Sequence, residues 1–119
     1  MKINLAEKFA ALTEHWRPHI VAELNGQEVK VVRVHGEFVW HKHDDVDELF
    51  WVTRGQLRIE FRDHVVELGP GELLVVPRGT EHRPVADQEV ELVLFEPSGV
   101  VNTGDAEPSE LTAPTDARL

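Results

Sequence analysis

What most restricts the fold of this chain is the rhythm of turn residues that begins after His19. Nine runs of four to eight residues, rich in Val, Leu, Ile, Phe and Trp, alternate with breaks that carry Gly, Pro, Asp or Asn. The runs are His19–Leu24, Gln27–Val34, Glu37–His43, Glu48–Arg54, Leu57–Arg62, Val65–Leu68, Glu72–Val76, His82–Ala86 and Val90–Glu96. None is long enough for a helix of ordinary length, so the pattern predicts an all-β sandwich or barrel. Asn25-Gly26, between the first two runs, is the dipeptide that a two-residue hairpin turn favours, because both central positions need positive φ.

The faces of these strands are readable in part. Leu57-Arg58-Ile59-Glu60-Phe61-Arg62 alternates strictly and predicts one dry side and one wet side. Leu92-Val93-Leu94-Phe95 is apolar on both sides, as in a strand whose second face is covered by a helix or another subunit. Ahead of the strands, Asn4 and Glu7 form a helix-start signature, and Leu5, Phe9 and Leu12 recur at helical spacing. Pro18 ends that segment. A stripe this short is not stable alone, so residues 1–18 are expected to dock on the outside of a barrel spanning 19–101. From about Asn102 to Leu119 the composition turns to Pro, Ser, Thr, Gly, Ala and acid, which predicts a mobile or loosely attached tail.

Composition excludes several function classes. Twelve basic residues against 22 acidic ones give a formal charge of −10, the wrong sign for nucleic acid or an anionic membrane. There is no cysteine, so disulfides, thiolate catalysis and thiolate-held metals are excluded. No run approaches the roughly 20 apolar residues of a membrane span, and a cytoplasmic location is expected.

The residues with distinctive chemistry are histidines. In an extended segment, residues two apart face the same way, so His41 and His43 can converge on one ion. Taken alone, this His-x-His fits two exposed or hydrogen-bonded histidines equally well. Glu48 follows an acidic turn at the start of the next run, and His82 arrives from a distant run after Pro77-Arg78-Gly79. Three imidazoles and a carboxylate suit one divalent transition ion of Mn, Fe, Co, Ni, Cu or Zn, whereas Ca and Mg prefer all-oxygen shells.

These side chains sit in two spaced frames. The first is Gly36, four residues, His41, one, His43, four, Glu48, six, Gly55; the second is Gly71, five, Pro77, one, Gly79, two, His82. Fifteen residues, Gln56 to Pro70, separate them. The two frames resemble the paired signature motifs of the cupin superfamily. That resemblance implies a small single-domain cupin: a double-stranded β-helix, or jelly-roll barrel, with His41, His43, Glu48 and His82 as lumenal metal ligands. Two departures are visible. Four residues stand between Gly36 and His41 where the family more often has five, and Ala86 stands where it often has Asn. Small cupins of this kind are also similar to mannose-6-phosphate isomerase in barrel and metal site.

Other residues are open to two readings. Arg33, Arg78 and Arg83 suit a carboxylate or phosphate at the barrel mouth, but pairing with the abundant acids is the commoner role. Glu37 and His35 share parity with His41 and His43. Arg33, Arg83 and Glu37 are therefore candidate substrate-lining residues. The function expected is that of a metal-dependent enzyme, isomerase-like or dioxygenase-like, on a small oxygen-rich molecule. The alternative is a non-catalytic small-molecule-binding or regulatory barrel with a structural metal. Outward tryptophans and the doubly apolar Val90–Phe95 run predict a homodimer.

Overall fold

The computed structural model describes residues 2–119. One helix and seven strands follow in order: α1 (Leu5–Ala10), β1 (His19–Leu24), β2 (Gln27–Glu37), β3 (Glu48–Arg54), β4 (Leu57–Phe61), β5 (Val65–Leu68), β6 (Leu73–Val76) and β7 (His82–Pro97). All strand pairs are antiparallel, and the all-β class expected from the turn rhythm holds. The hydrogen-bonded order is β1-β2-β7-β3-β6, with β4 joining β5 to β7. Asn25 and Gly26 take φ of 50° and 78°, the doubly left-handed turn that lets Leu24 pair with Gln27.

β7 is the spine that brings the distant histidine to its partners. Its first part pairs with β4, setting Phe61 opposite His82, and its second part runs between β2 and β3. The sequence reading separated His82–Ala86 from Val90–Glu96; the structure joins them. The polar residues between, Asp87 to Glu89, are exposed and lie where the register with β2 shifts between Val34 and Gly36. An irregularity bends this strand without ending it.

A second correction concerns Glu37–His43. β2 ends at Glu37, and the residues beyond touch β7 only at single points: Phe38 N–H donates to the Pro84 carbonyl, and His41 and His82 exchange backbone bonds of 3.1 and 2.9 Å. Pro84 has no N–H to return, so a continuous ladder is impossible there.

The inward side chains of alternate positions form the core. Val32, Val34, Phe50, Val52, Leu57, Ile59, Val90, Leu92 and Leu94 pack together. α1 is capped by Asn4, whose Oδ1 accepts from Glu7 N–H at 3.0 Å. It lies on the outer face, where Phe9 and Leu12 cover Val31 and Val93. This explains why Val93, facing away from the lumen, is apolar.

Residues 102–119, read as a mobile tail, are docked. Asn102 Nδ2 donates to the carbonyls of Trp16 and Leu111, and its Oδ1 accepts from Ala113 N–H. Thr103 and Ala113 are buried, and the chain end brackets Ile20 through Ala117 and Leu119. At Gly104 a Cβ would collide with the Lys42 carbonyl, so glycine permits the close approach. Polar composition does not prevent docking when each polar group has an internal partner. No helix among the described residues is long and apolar enough to cross a membrane.

Candidate metal centre

The four side chains singled out in the sequence meet in space. One donor atom from each of His41, His43, Glu48 and His82 lies within 4.8 Å of the others, and all four residues are buried. Donors about 2.1 Å from a shared ion stand at most about 4.2 Å apart, so side-chain shifts of a few tenths of an ångström would complete a shell. β3 supplies Glu48 at its first residue and β7 supplies His82 at its first. The backbone bridge to His82 holds His41, and Gly79 N–H donates to the His43 carbonyl at 2.8 Å.

The hydrogen bonds around the rings set their donor atoms. His41 Nδ1 lies 2.9 Å from the Val39 carbonyl, and His82 Nδ1 2.9 Å from that of Thr80. A carbonyl can only accept, so each Nδ1 carries the proton and each Nε2 keeps a lone pair. His43 Nε2, His82 Nε2 and Glu48 Oε1 are buried without a hydrogen-bond partner. At 3.4 and 3.7 Å from His43 and His82 Nε2, Glu48 Oε1 makes no well-formed hydrogen bond to either. Buried polar atoms are rarely left so, and a cation among them satisfies all three.

Electrostatics favours the same occupant. Burial, with His82 alongside, lowers the His41 imidazole to about 4, leaving it neutral and able to ligate. Burial opposes ionisation of Glu48, and only positive charge facing it, a proton on the His43 or His82 imidazole or a cation in its place, holds the carboxyl well below its ordinary range. The three-nitrogen, one-oxygen set fits a divalent first-row transition ion or zinc.

On one side of this group lies a cavity of about 30 Å³ that touches His41 and Glu48. Trp16, Val32, Phe38, Phe50, Leu92 and Leu94 make most of its wall, and Asn102 adds one polar group. On the other side, beside His43, an open polar depression lies between residues 42–46 and the 98–105 loop. The centre therefore sits between a dry lumen and a wet mouth.

The profile of the cupin domain family matches residues 28–98. This chain belongs to the cupin family. The cupin is similar to a cupin-2 domain containing protein from Shewanella frigidimarina: 46% identity, 80% of this chain and 93% of the other covered, TM-score 0.79. It is also similar to protein NMB1881 from Neisseria meningitidis at 32% identity, with 82% and 100% covered and a TM-score of 0.76. With the uncharacterized protein YdbB of Bacillus subtilis it shares 41% identity over 64 residues, 53% of this chain; that stretch spans 57% of YdbB.

The other candidates of the sequence stand apart from the cavity wall. Arg33 pairs with Glu91 at 3.3 Å and donates to the Leu12 carbonyl. Arg83 pairs with Glu60 at 2.7 Å and Glu37 at 3.2 Å, and its hydrogen bond keeps the Glu60 carboxyl below the usual range. Arg78 holds Asp47. Sequence reasoning missed Trp16 and Asn102, which close the lumen of this cupin from both chain ends. Trp16 has φ of 61°, unusual for a bulky residue. It stacks on Phe38 at 4.6 Å and donates from Nε1 to the His35 carbonyl. No local motif announces it. Glu28, Lys30 and Glu96 were also missed; each shares strand parity with interior apolar residues, a signal that was available.

Proposed function

We propose that this cupin is a metal-dependent enzyme acting on a small oxygen-bearing molecule at one divalent transition ion held by His41, His43, Glu48 and His82. The observation that carries the reading is the trio of buried, unpartnered donor atoms, His43 Nε2, His82 Nε2 and Glu48 Oε1. When bound, such an ion supplies Lewis acidity towards a substrate oxygen. The chain contributes the rest. Val39 and Thr80 carbonyls keep His41 and His82 in the ligating tautomer, and the apolar wall excludes water from the lumenal side.

That wall also bears on the substrate. A sugar carries hydroxyls that need several polar partners, and among the lining residues only His41, Glu48 and Asn102 have polar side chains. The lining favours an oxygen donor attached to an apolar or aromatic body, hence dioxygenase-like rather than sugar isomerase-like chemistry. The second reading is a non-catalytic barrel in which the ion only fixes a ligand. It draws on the narrowness of the lumen, about 30 Å³, which holds little beyond a water or diatomic molecule unless Trp16 moves.

Oxygen uptake separates these readings. Protein loaded with Fe(II) or Mn(II) is expected to consume dioxygen with an aromatic diol or a 2-oxo acid, and to lose this in His43→Ala/His82→Ala. Aldose–ketose conversion without oxygen uptake would shift the assignment to isomerase. Absence of both, with unchanged ligand binding after metal removal, would favour the binding barrel.

A homodimer belongs to the same proposal. Trp51, Leu73 and Val75 are exposed on β3 and β6, beside an apolar groove lined by Val29, Leu49, Val93 and Phe95, the kind of patch that a second copy covers. A monomeric mass by light scattering at micromolar concentration would contradict it.

A further inference from the structure

Beyond Glu48 the barrel wall carries a second group of buried ionisable side chains. β2, β7 and β3 lie side by side, and Glu28 is the direct cross-strand partner of Glu96. Leu49 pairs with Phe95, which sets Glu48 opposite Glu96 one residue further on. The three glutamates form one row across three strands, facing inward like Val32, Leu94 and Phe50. Lys30 places Nζ 3.0 Å from Glu96 Oε1 and 3.6 Å from Glu28 Oε1. Ser98 Oγ donates to Glu28 Oε2 at 3.2 Å. The Glu96 carboxyl lies beside that of Glu48, and its Oε2 is buried without a hydrogen-bond partner. None of the four charged residues is more than 4% exposed.

Stability does not account for this row. A buried ion pair is a weak stabiliser beside apolar packing of the same volume, and here three carboxyls share one ammonium. The same strands fill adjacent interior positions with Val32, Leu92 and Leu94. The row makes electrostatic sense with a cation at the Glu48 end and Lys30 bridging Glu28 and Glu96, because the Glu96 carboxyl then lies between two positive charges. Hydrogen-bonded partners behind a ligand are what fix its orientation at metal centres.

We propose that Glu96 is a positioning residue for the ligand Glu48, and that Lys30, anchored by Glu28, fixes Glu96 in turn. The inference rests on the metal-binding reading above.

Co(II) titration of the full chain tests it, with Kd and the d–d absorption spectrum as readouts and thermal melts without Co(II) to establish folding. Glu96→Met fills similar space and removes both polar contacts. It is expected to weaken Co(II) binding about 10- to 100-fold and to alter the spectrum. Glu96→Gln keeps both contacts and is expected to stay within about threefold of wild type. Lys30→Met is expected to weaken binding, and Lys30→Arg to restore it. If Glu96→Met does not fold, Glu96→Asp, which withdraws the carboxyl by one methylene, carries the same expectation. Wild-type Kd and spectrum in the folded Glu96→Met or Glu96→Asp protein would overturn the positioning role and leave the metal site standing. Wild-type protein that takes up no Co(II) would overturn the metal reading and this extension together.

Discussion

The interior of the barrel has two ends built by the same strands and filled in opposite ways. Along β2, β3 and β7, one end packs Val34, Val52, Val90 and Leu92, while the other buries Glu28, Lys30, Glu48 and Glu96 beside three histidines. The apolar end accounts for folding through burial, about 25 cal/mol per Å² of apolar surface removed from water. The polar end cannot be credited with the same gain, since desolvating charges offsets most of their attraction. Its unpartnered atoms, confined to that end apart from Arg33 Nε, show what the difference teaches: one end holds the barrel together, and the other gathers donor atoms of the kind that suits a cation.

Three experiments sharpen or break this contrast. The largest effect belongs to the apolar end. Leu92 is buried at that end, and Leu92→Ala is expected to cost about 2–5 kcal/mol in urea denaturation, by the same amount with and without Zn(II). A cost that depends on Zn(II) would mean the ends are not separate.

Next is acid sensitivity at the polar end of the metal-free protein. His41 is held near 4 in the fold, against about 6.5 when unfolded. A depressed imidazole favours the fold in its neutral form, so its contribution is complete above pH 6.5 and is lost as pH falls from 6.5 through about 4. The gap corresponds to about 3 kcal/mol at most. His41→Gln is expected to remove this share of the pH dependence between pH 7 and 5; an unchanged slope would contradict the neutral, buried assignment. Glu48 and Glu96 are also shifted, Glu48 downward and Glu96 well upward through burial, so the comparison of variant with wild type carries the test.

The smallest effect concerns the strap that closes the lumen. Asn102→Ala removes hydrogen bonds to Trp16, Leu111 and Ala113 and is expected to cost about 1–2 kcal/mol, with faster amide exchange in residues 102–119. Fast exchange already present in the wild type would restore the mobile-tail reading.

The contrast between the ends also explains what the sequence disclosed. Strand-and-turn rhythm and the two Gly/Pro frames are local, so the barrel and the four converging side chains were legible in the sequence. The break after Glu37 was not, because it depends on Pro84 sitting opposite Phe38 in a partner strand. The docked C-terminal segment was not, because its polar residues find partners up to 95 positions away. Glu28, Lys30 and Glu96 stood at inward parity all along. Charged residues at strand ends usually reach solvent, and only the closed geometry of the barrel makes these interior.

The central claim is that the polar end holds a metal ion, and direct metal analysis of purified protein tests it. Inductively coupled plasma mass spectrometry after incubation with Zn(II) or Co(II) and desalting is expected to find close to one ion per chain. His43→Ala/His82→Ala is expected to retain none. Full retention in that double variant, or a wild-type protein that emerges metal-free, would contradict the account.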